Sequence, residues 1–199
     1  MAYRKILEFP NQLLRKKSEP VTVFDDELRA LADDLHDTLN VANGAGLSAP
    51  QIGVFQRVIY IGVGKFTGVM INPTIIEVQS PASLGEGCLS FPGIFENVNR
   101  FQTVQCRYQD VAGDEHDITV SKVSAHVIQH EIEHLDGVLL IDKLSRLKRA
   151  RLQRKTKKKA RLVKAAIRQE QAPPRKKKNS SLSKKELKIR KKRKLQARR

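Results

Sequence analysis

Gln129-His130-Glu131-Ile132-Glu133-His134 is an H-E-x-x-H stretch, and its reading decides how the rest of the chain is understood. Helical residues four apart lie about 40° from one another around the axis, so His130 and His134 present their imidazoles from one face. Glu131 sits one step round, near enough to touch a water held there without being a ligand itself. This is the arrangement of metal hydrolases, in which an ion activates water and the glutamate moves protons. Taken alone, so short a motif reads equally as an exposed polar helix face. Its surroundings favour the metal. Val123, Val127, Ile128 and Leu135 fall at spacings that bury one side of the helix, which sets the histidines at the border of a core. Ser121 is the expected N-cap, and Gly137 the expected left-handed residue that ends the helix. Buried imidazoles and a buried carboxylate need partners, and an ion provides one.

An open catalytic site has three protein ligands and leaves a position for water. The chain has two cysteines, too few for a disulfide framework and consistent with a reducing cytosol. Cys106 lies in Thr103–Tyr108, which alternates like a half-buried strand, so it reads as a small core residue. Cys88 stands in Gly85-Glu86-Gly87-Cys88-Leu89-Ser90, with Pro92-Gly93 following, where backbone must approach something closely. From these residues alone it is either a third ligand or a buried thiol in a turn.

Three motifs in order carry a family likeness. They are Gly44-Ala45-Gly46-Leu47-Ser48-Ala49-Pro50-Gln51-Ile52-Gly53, then Glu86-Gly87-Cys88-Leu89-Ser90, then Gln129-His130-Glu131-Ile132-Glu133-His134-Leu135. Together they make the chain resemble the peptide deformylases, metalloenzymes that remove the formyl group from the N-terminal methionine of nascent bacterial-type proteins. The likeness runs from about Ile6 to Ser145. It implies that Cys88, His130 and His134 bind the ion and that Glu131 exchanges protons with water and the departing amine. It implies too that the Gln51 side-chain amide and the Leu89 backbone N–H stabilise the oxyanion; without the family pattern, Gln51 reads as a loop residue capping local backbone. The Gly46 carbonyl would accept a hydrogen bond from the formylated amide, with Gly44 letting main chain come near. Gly87, Phe95 and Val127 are candidates for the wall of an apolar methionine pocket. His126 is assigned to rim or packing, because a fourth protein ligand would close the water position. Arg100 is expected to pair with Glu86 and brace the Cys88 loop. His36 and His116 receive no role.

The family commonly works with ferrous iron, so Fe²⁺ is the expected ion and Zn²⁺ its substitute; Co²⁺ and Ni²⁺ also suit one thiolate and two imidazoles. The sequence departs from the family pattern in three places. Ser48 stands where alanine is common, Glu133 where aspartate is usual, and Phe95 where many members carry an arginine near the cleft.

A helix from about Asp25 to Val41 precedes short β-branched runs at Val58–Val63, Val69–Ile71, Ile75–Val78, Thr103–Tyr108 and Asp117–Val120. With the H-E-x-x-H helix after them, the fold class reads as α+β: antiparallel or mixed β-sheets around a central helix, plus a basic helical C-terminal extension. Charge divides the chain into two parts. Residues 1–145, the expected catalytic domain, hold 12 Lys and Arg against 19 Asp and Glu; residues 146–199 hold 26 against 2. That tail is expected to be helical from Arg146 to about Gln171, to stop at Pro173-Pro174, to loop over Lys176–Ser181, and to resume from the capping box at Ser183 to about Ala197. So many like charges suit a polyanion, and ribosomal RNA is the expected partner, bound through phosphates by a segment without aromatic residues to stack on bases. A purely solubilising tail is the plainer alternative. No stretch approaches the ~20 apolar residues of a membrane span. The opening Met1–Lys5 lacks a secretory signal pattern, so a cytoplasmic monomer with no membrane contact is expected. Two rival functions remain on this reading: another H-E-x-x-H metallohydrolase such as a peptidase, or a non-enzymatic ribosome- or RNA-binding protein with a vestigial site. Formate release from a formyl-Met peptide separates the first, and metal content the second.

Overall fold

The computed structural model describes residues 3–170. Its first long element is α1 (Asp26–Ala42), which starts where the Asp25 carboxylate accepts a hydrogen bond from the Leu28 N–H at 3.0 Å. Leu28, Leu31, Leu35 and Leu39 recur every three or four residues and are all buried, giving the helix one apolar stripe. The strands follow as β1 (Gly46–Ser48), β2 (Val58–Ile61), β3 (Gly68–Gly87), β4 (Phe95–Gln109) and β5 (Glu115–Ser121), then α2 (Val123–Leu135) and α3 (Arg146–Glu170). The five strands form one sheet in chain order, every pair antiparallel. Among the described residues the class is therefore α+β with a single antiparallel sheet; the one parallel pairing is an isolated bridge between Glu19 and Gln56.

β2 shows how the helices are placed. Side chains alternate across a strand, and here both faces are buried. Ile59 and Ile61 join the α2 residues Ala125, Ile128, Ile132 and Leu135 in one core cluster. Val58 and Tyr60 join the leucines of α1 in another. Cys106 sits fully buried in the first cluster, as its strand pattern implies. A third cluster gathers Leu14, Phe91, Ile94, Val98, Leu139 and Leu152 around the far end of the β3–β4 hairpin.

Several boundaries differ from the sequence expectations. The runs at Val69–Ile71 and Ile75–Val78 belong to one 20-residue strand, because register shifts at Ile71/Thr74 and Ile75/Glu77 absorb Asn72-Pro73 without ending the ladder. Asn72 has φ +51°, and its side-chain amide bonds both the N–H and the carbonyl of Val21 at 2.9 Å. β4 begins at Phe95 rather than Thr103, its first half too polar to alternate visibly. Ser121 is not the N-cap of α2. It is the last residue of β5, paired with Thr103, and the Lys122 N–H continues to the Gln102 carbonyl at 2.8 Å. The sheet ladder thus runs right up to the helix, and Lys122 takes the cap position with φ 58°, ψ −130° and no side-chain cap bond. Gly137 has φ +71°, as its position after the helix implies, and a side chain there would lie 2.4 Å from the Arg15 carbonyl.

The first compact unit runs Met1–Lys157, past Ser145, because Leu152 of α3 is buried in the third cluster and Lys148 pairs with Glu96 at 2.8 Å. The second unit is Lys158–Arg199, described as far as Glu170, where α3 continues with Leu162 and Val163 exposed. The expected stop at Pro173-Pro174, the loop over Lys176–Ser181 and the second tail helix lie outside the described residues. Among the described residues no helix is long and apolar enough to cross a membrane.

A positive φ with ψ near −130° is a region that side chains rarely adopt, and it costs about 1–3 kcal/mol. Lys122→Gly should therefore stabilise the protein by about 1 kcal/mol after the entropy glycine loses on folding. Urea denaturation that shows K122G weaker than the parent would contradict the strain.

Candidate metal centre

α2 is asked to be a core helix and a polar one at once. Ala125, Ile128, Ile132 and Leu135 face the sheet, while His126, His130, Glu131 and His134 are also buried. A 3.6-residue repeat puts His130 and His134 one turn apart, ring centroids 4.9 Å from each other and planes at 80°. Cys88 reaches the same point from the turn that follows β3, its Sγ 3.2 Å from His134 Nε2. The ligand atoms of Cys88, His130 and His134 all lie within 4.8 Å of one another. Metal–sulfur and metal–nitrogen bonds of about 2.3 and 2.0–2.1 Å in a tetrahedron set ligand atoms roughly 3.3–3.7 Å apart, close to the 3.2 Å between Cys88 Sγ and His134 Nε2, and one thiolate with two imidazoles is a donor set that suits such an ion.

The electrostatics agree. His130 Nδ1 lies 3.2 Å from Glu86 Oε2, so an Nδ1–H donates to the carboxylate and Nε2 is the nitrogen turned to an ion. Burial pulls the His130 ring down, but Cys88 and Glu86 outweigh it and raise the ring well above its usual value. Sulfur and carboxylate thus both call for positive charge at this spot. Burial holds the His134 ring well below its usual value, helped by the charges of His130 and Arg100. A neutral His134 is a ready ligand. Burial also pushes Glu86 up, yet hydrogen bonds from His130 and Arg100 outweigh it and hold the carboxyl at about 2. Arg100 itself is buried and forks onto Glu86, Nε to Oε1 at 2.7 Å and Nη2 to Oε2 at 3.0 Å. Its third donor, Nη1, reaches Glu133 Oε1 at 2.6 Å, so the longer carboxylate in place of aspartate is met by the same guanidinium and by Lys143.

Glu131 faces a cleft of about 500 Å³ whose walls include Cys88, His130 and Val127. Burial pushes its carboxyl up to about 7, against the pull of His130 and of the neighbouring Ser48 hydroxyl. Its Oε2 has no hydrogen-bond partner, and neither has His134 Nδ1. Gly46 passes directly beneath: a side chain there would come within 2.5 Å of Val127 and 2.9 Å of Glu131. Gly44, Gly87, Leu89 and Phe95 border the same cleft. Phe95 is 72 % exposed, a place on the rim rather than in a closed wall. The Gln51 amide nitrogen lies 3.8 Å from Cys88 Sγ and 3.2 Å from Ser90 Oγ.

Sequence reasoning overlooked other contributors. Ser48 donates both its N–H and its hydroxyl to Gln51 Oε1. Gln129 clamps α2 to β4, bonding the N–H and carbonyl of Phe101 at 3.0 and 2.8 Å. The first residues strap the two site loops: the Leu7 N–H donates to the Gln51 carbonyl at 2.7 Å and the Phe9 N–H to the Ser90 carbonyl at 2.9 Å. Its signal was only an apolar pair, Leu7 and Phe9, two residues apart. His126 is buried with both ring nitrogens unpartnered and Nδ1 3.8 Å from Glu86 Oε1. His36 packs against Tyr60, and His116 bonds Asp110, both away from the centre.

The polypeptide deformylase family model matches residues 3–150. The chain is 40 % identical over 164 residues to the peptide deformylase of Wolinella succinogenes, covering 78 % of this chain and 96 % of that one. It is 43 % identical over 169 residues to that of Afipia carboxidovorans, covering 82 % and 99 %. Among solved structures, the Legionella pneumophila peptide deformylase aligns with a TM-score of 0.76 at 40 % identity, over 86 % of this chain and all of that one. The Ehrlichia chaffeensis peptide deformylase in complex with actinonin aligns with a TM-score of 0.76 at 36 % identity, over 80 % and 98 %. Motif order, ligand geometry and these relatives converge on one assignment: the chain belongs to the polypeptide deformylase family.

Proposed function

We propose that this protein hydrolyses the formyl group from the N-terminal methionine of nascent polypeptides, releasing formate. The observation that carries the reading is the convergence of Cys88, His130 and His134 with Glu131 beside them in an apolar cleft. These residues would hold one divalent ion, Fe²⁺ in the native enzyme with Zn²⁺ as substitute and Co²⁺ or Ni²⁺ as further candidates, since thiolate and imidazole suit those ions better than magnesium or calcium. When bound, the ion supplies Lewis acidity that draws the pKa of water from 15.7 down to roughly 7.

The chain's own groups do the rest. Glu131, buried and raised to about 7, takes the proton of the attacking water and passes it to the amine nitrogen as the C–N bond breaks. The Gln51 amide and the Leu89 N–H donate to the oxyanion that develops on the formyl oxygen. The Gly46 carbonyl accepts from the scissile amide and fixes its orientation, with Gly44 clearing the approach. Gly87, Val127 and the rim residue Phe95 border the methionine side chain. Glu86 sets the His130 tautomer, and Arg100 holds Glu86. The basic tail carries the enzyme to the ribosome by phosphate contacts with its RNA, and the protein works as a cytoplasmic monomer.

Glu131→Gln should keep the metal and lose about 10²–10⁴-fold in kcat for formyl-Met peptides. Full turnover by E131Q, or cleavage of the unformylated peptide by the wild type, would sink the proposal. Arg100→Ala takes the guanidinium from buried Glu86 and leaves the carboxylate that orients His130 without its fork, so metal affinity should fall about 10–100-fold. Unchanged metal retention would remove Arg100 from the assembly. The same network makes stability pH-dependent. The Glu86 carboxyl, held at about 2 against a usual 4.5, contributes stability that is present above 4.5 and lost as pH falls through about 2. For the tail, the full chain should sediment with ribosomes and be released between 50 and 200 mM salt, its affinity dropping about 10³–10⁵-fold. A chain ended at Lys157 keeps the buried Leu152 but loses 19 of the tail's 26 basic residues, and should leave the ribosome at much lower salt than the full chain; an unchanged salt profile would refute the tail's role.

A further inference from the structure

Ser48 is fully buried at the last position of β1, where the strand passes into the 3-10 turn Ala49–Ile52 that carries Gln51. Both of its donors converge on one atom. The N–H lies 2.9 Å and the hydroxyl oxygen 2.8 Å from Gln51 Oε1. A side-chain amide is nearly symmetric in shape and opposite in polarity at its two ends. Two donors on its oxygen therefore aim its nitrogen the other way, at Ser90 Oγ and Cys88 Sγ, 3.2 and 3.8 Å distant. Turned by half a revolution, the amide would set N–H groups against two donors and its oxygen against sulfur. Any residue at position 48 brings the backbone donor. Only the hydroxyl is particular to serine here, and a donor on an amide oxygen also polarises the amide and strengthens its N–H groups.

We propose that Ser48 is a positioning residue for Gln51, its hydroxyl fixing the orientation and donor strength of the amide that faces the Cys88 turn. This rests on the deformylase reading, in which that amide meets the oxyanion. Charge on the formyl oxygen develops only in the transition state, so the loss should fall on kcat and leave KM nearly unchanged. Ser48→Ala deletes one oxygen and adds nothing.

The test is a double-mutant cycle on the metal-loaded full chain, following formate release from a formyl-Met tripeptide with S48A, Q51A and the pair. Removing one hydrogen bond should lower kcat about 3- to 10-fold in S48A. Q51A should lose about 10²–10³-fold. With Gln51 gone, the S48A loss should shrink to the small part owed to the hydroxyl's influence on Glu131, an outcome that a merely structural serine would not produce. An S48A enzyme with unchanged kcat overturns the proposal, as does an S48A loss that persists undiminished beside Q51A. Should S48A fail to fold, Ser48→Cys retains a weaker donor, and its smaller kcat loss must likewise shrink beside Q51A or the proposal falls. A wild-type chain that releases no formate would overturn the deformylase reading together with this inference; a working wild type with independent Ser48 and Gln51 effects overturns this inference alone.

Discussion

A single buried guanidinium joins the parts of this molecule that must not move. Arg100 projects from β4, forks onto Glu86 near the end of β3, and spends its remaining donor on Glu133 of α2. Three elements are thereby held by one planar group whose donors are fixed in a fork. The consequence reaches the metal site in two steps: Arg100 orients Glu86, and Glu86 orients His130. An ion pair this buried is a poor source of stability, since desolvation offsets much of the attraction. Its value is geometric. Replaced by apolar residues, the hairpin and helix would still pack, but nothing would hold His130 in the tautomer that offers Nε2.

The third residue of the proposed ligand set needs a different kind of support, because Cys88 stands on a turn and not on the helix. A turn is the less accurate platform. Here it is tied down from outside. Phe9 bonds the Ser90 carbonyl and stacks on Phe91, ring centroids 5.0 Å apart, while Leu7 bonds the Gln51 carbonyl. Phe91 itself is buried in the third core cluster, so the turn is anchored by apolar burial on one side and by main-chain bonds on the other. The N-terminal segment thus locks the Cys88 turn to the Gln51 turn.

The sequence disclosed the chemistry better than the architecture that positions it. Helical spacing alone brings His130, Glu131 and His134 to one face, whereas the glycines around Cys88 left it either a ligand or a buried thiol, and only the family resemblance chose between them. The long β3–β4 hairpin was not readable. Residues 79–85 of β3 are mostly exposed, and Asn72-Pro73 and Pro81 interrupt any apolar alternation, so only tertiary pairing reveals one strand. Ser121 was misread for a related reason: a good capping residue was already committed to the ladder of β5, and strand pairing overrode the local preference. Ser48 showed only as a departure from the family's usual alanine, with no sign of its partner. A small residue within a glycine-rich motif looks like space-filling until the Gln51 amide is seen to turn back onto it.

Burying this much polarity has a cost that the fold does not recover by itself. Glu131 Oε2, His134 Nδ1 and both nitrogens of His126 are buried without partners. Each such atom costs about 1–3 kcal/mol when left unsatisfied. A protein built only for stability would place leucines on that face of α2, whose opposite face is already apolar and packed. Part of that face is completed from outside the chain: an ion would engage the sulfur and the Nε2 atoms of His130 and His134, and a substrate and its water would reach the Glu131 carboxylate, while His134 Nδ1 and the His126 nitrogens keep their cost. Whatever binds the folded state and not the unfolded one returns its binding free energy as stability. The site and the fold are then one equilibrium, in which an ion bound at α2 adds its binding free energy to the packing that the apolar face of the helix already supplies.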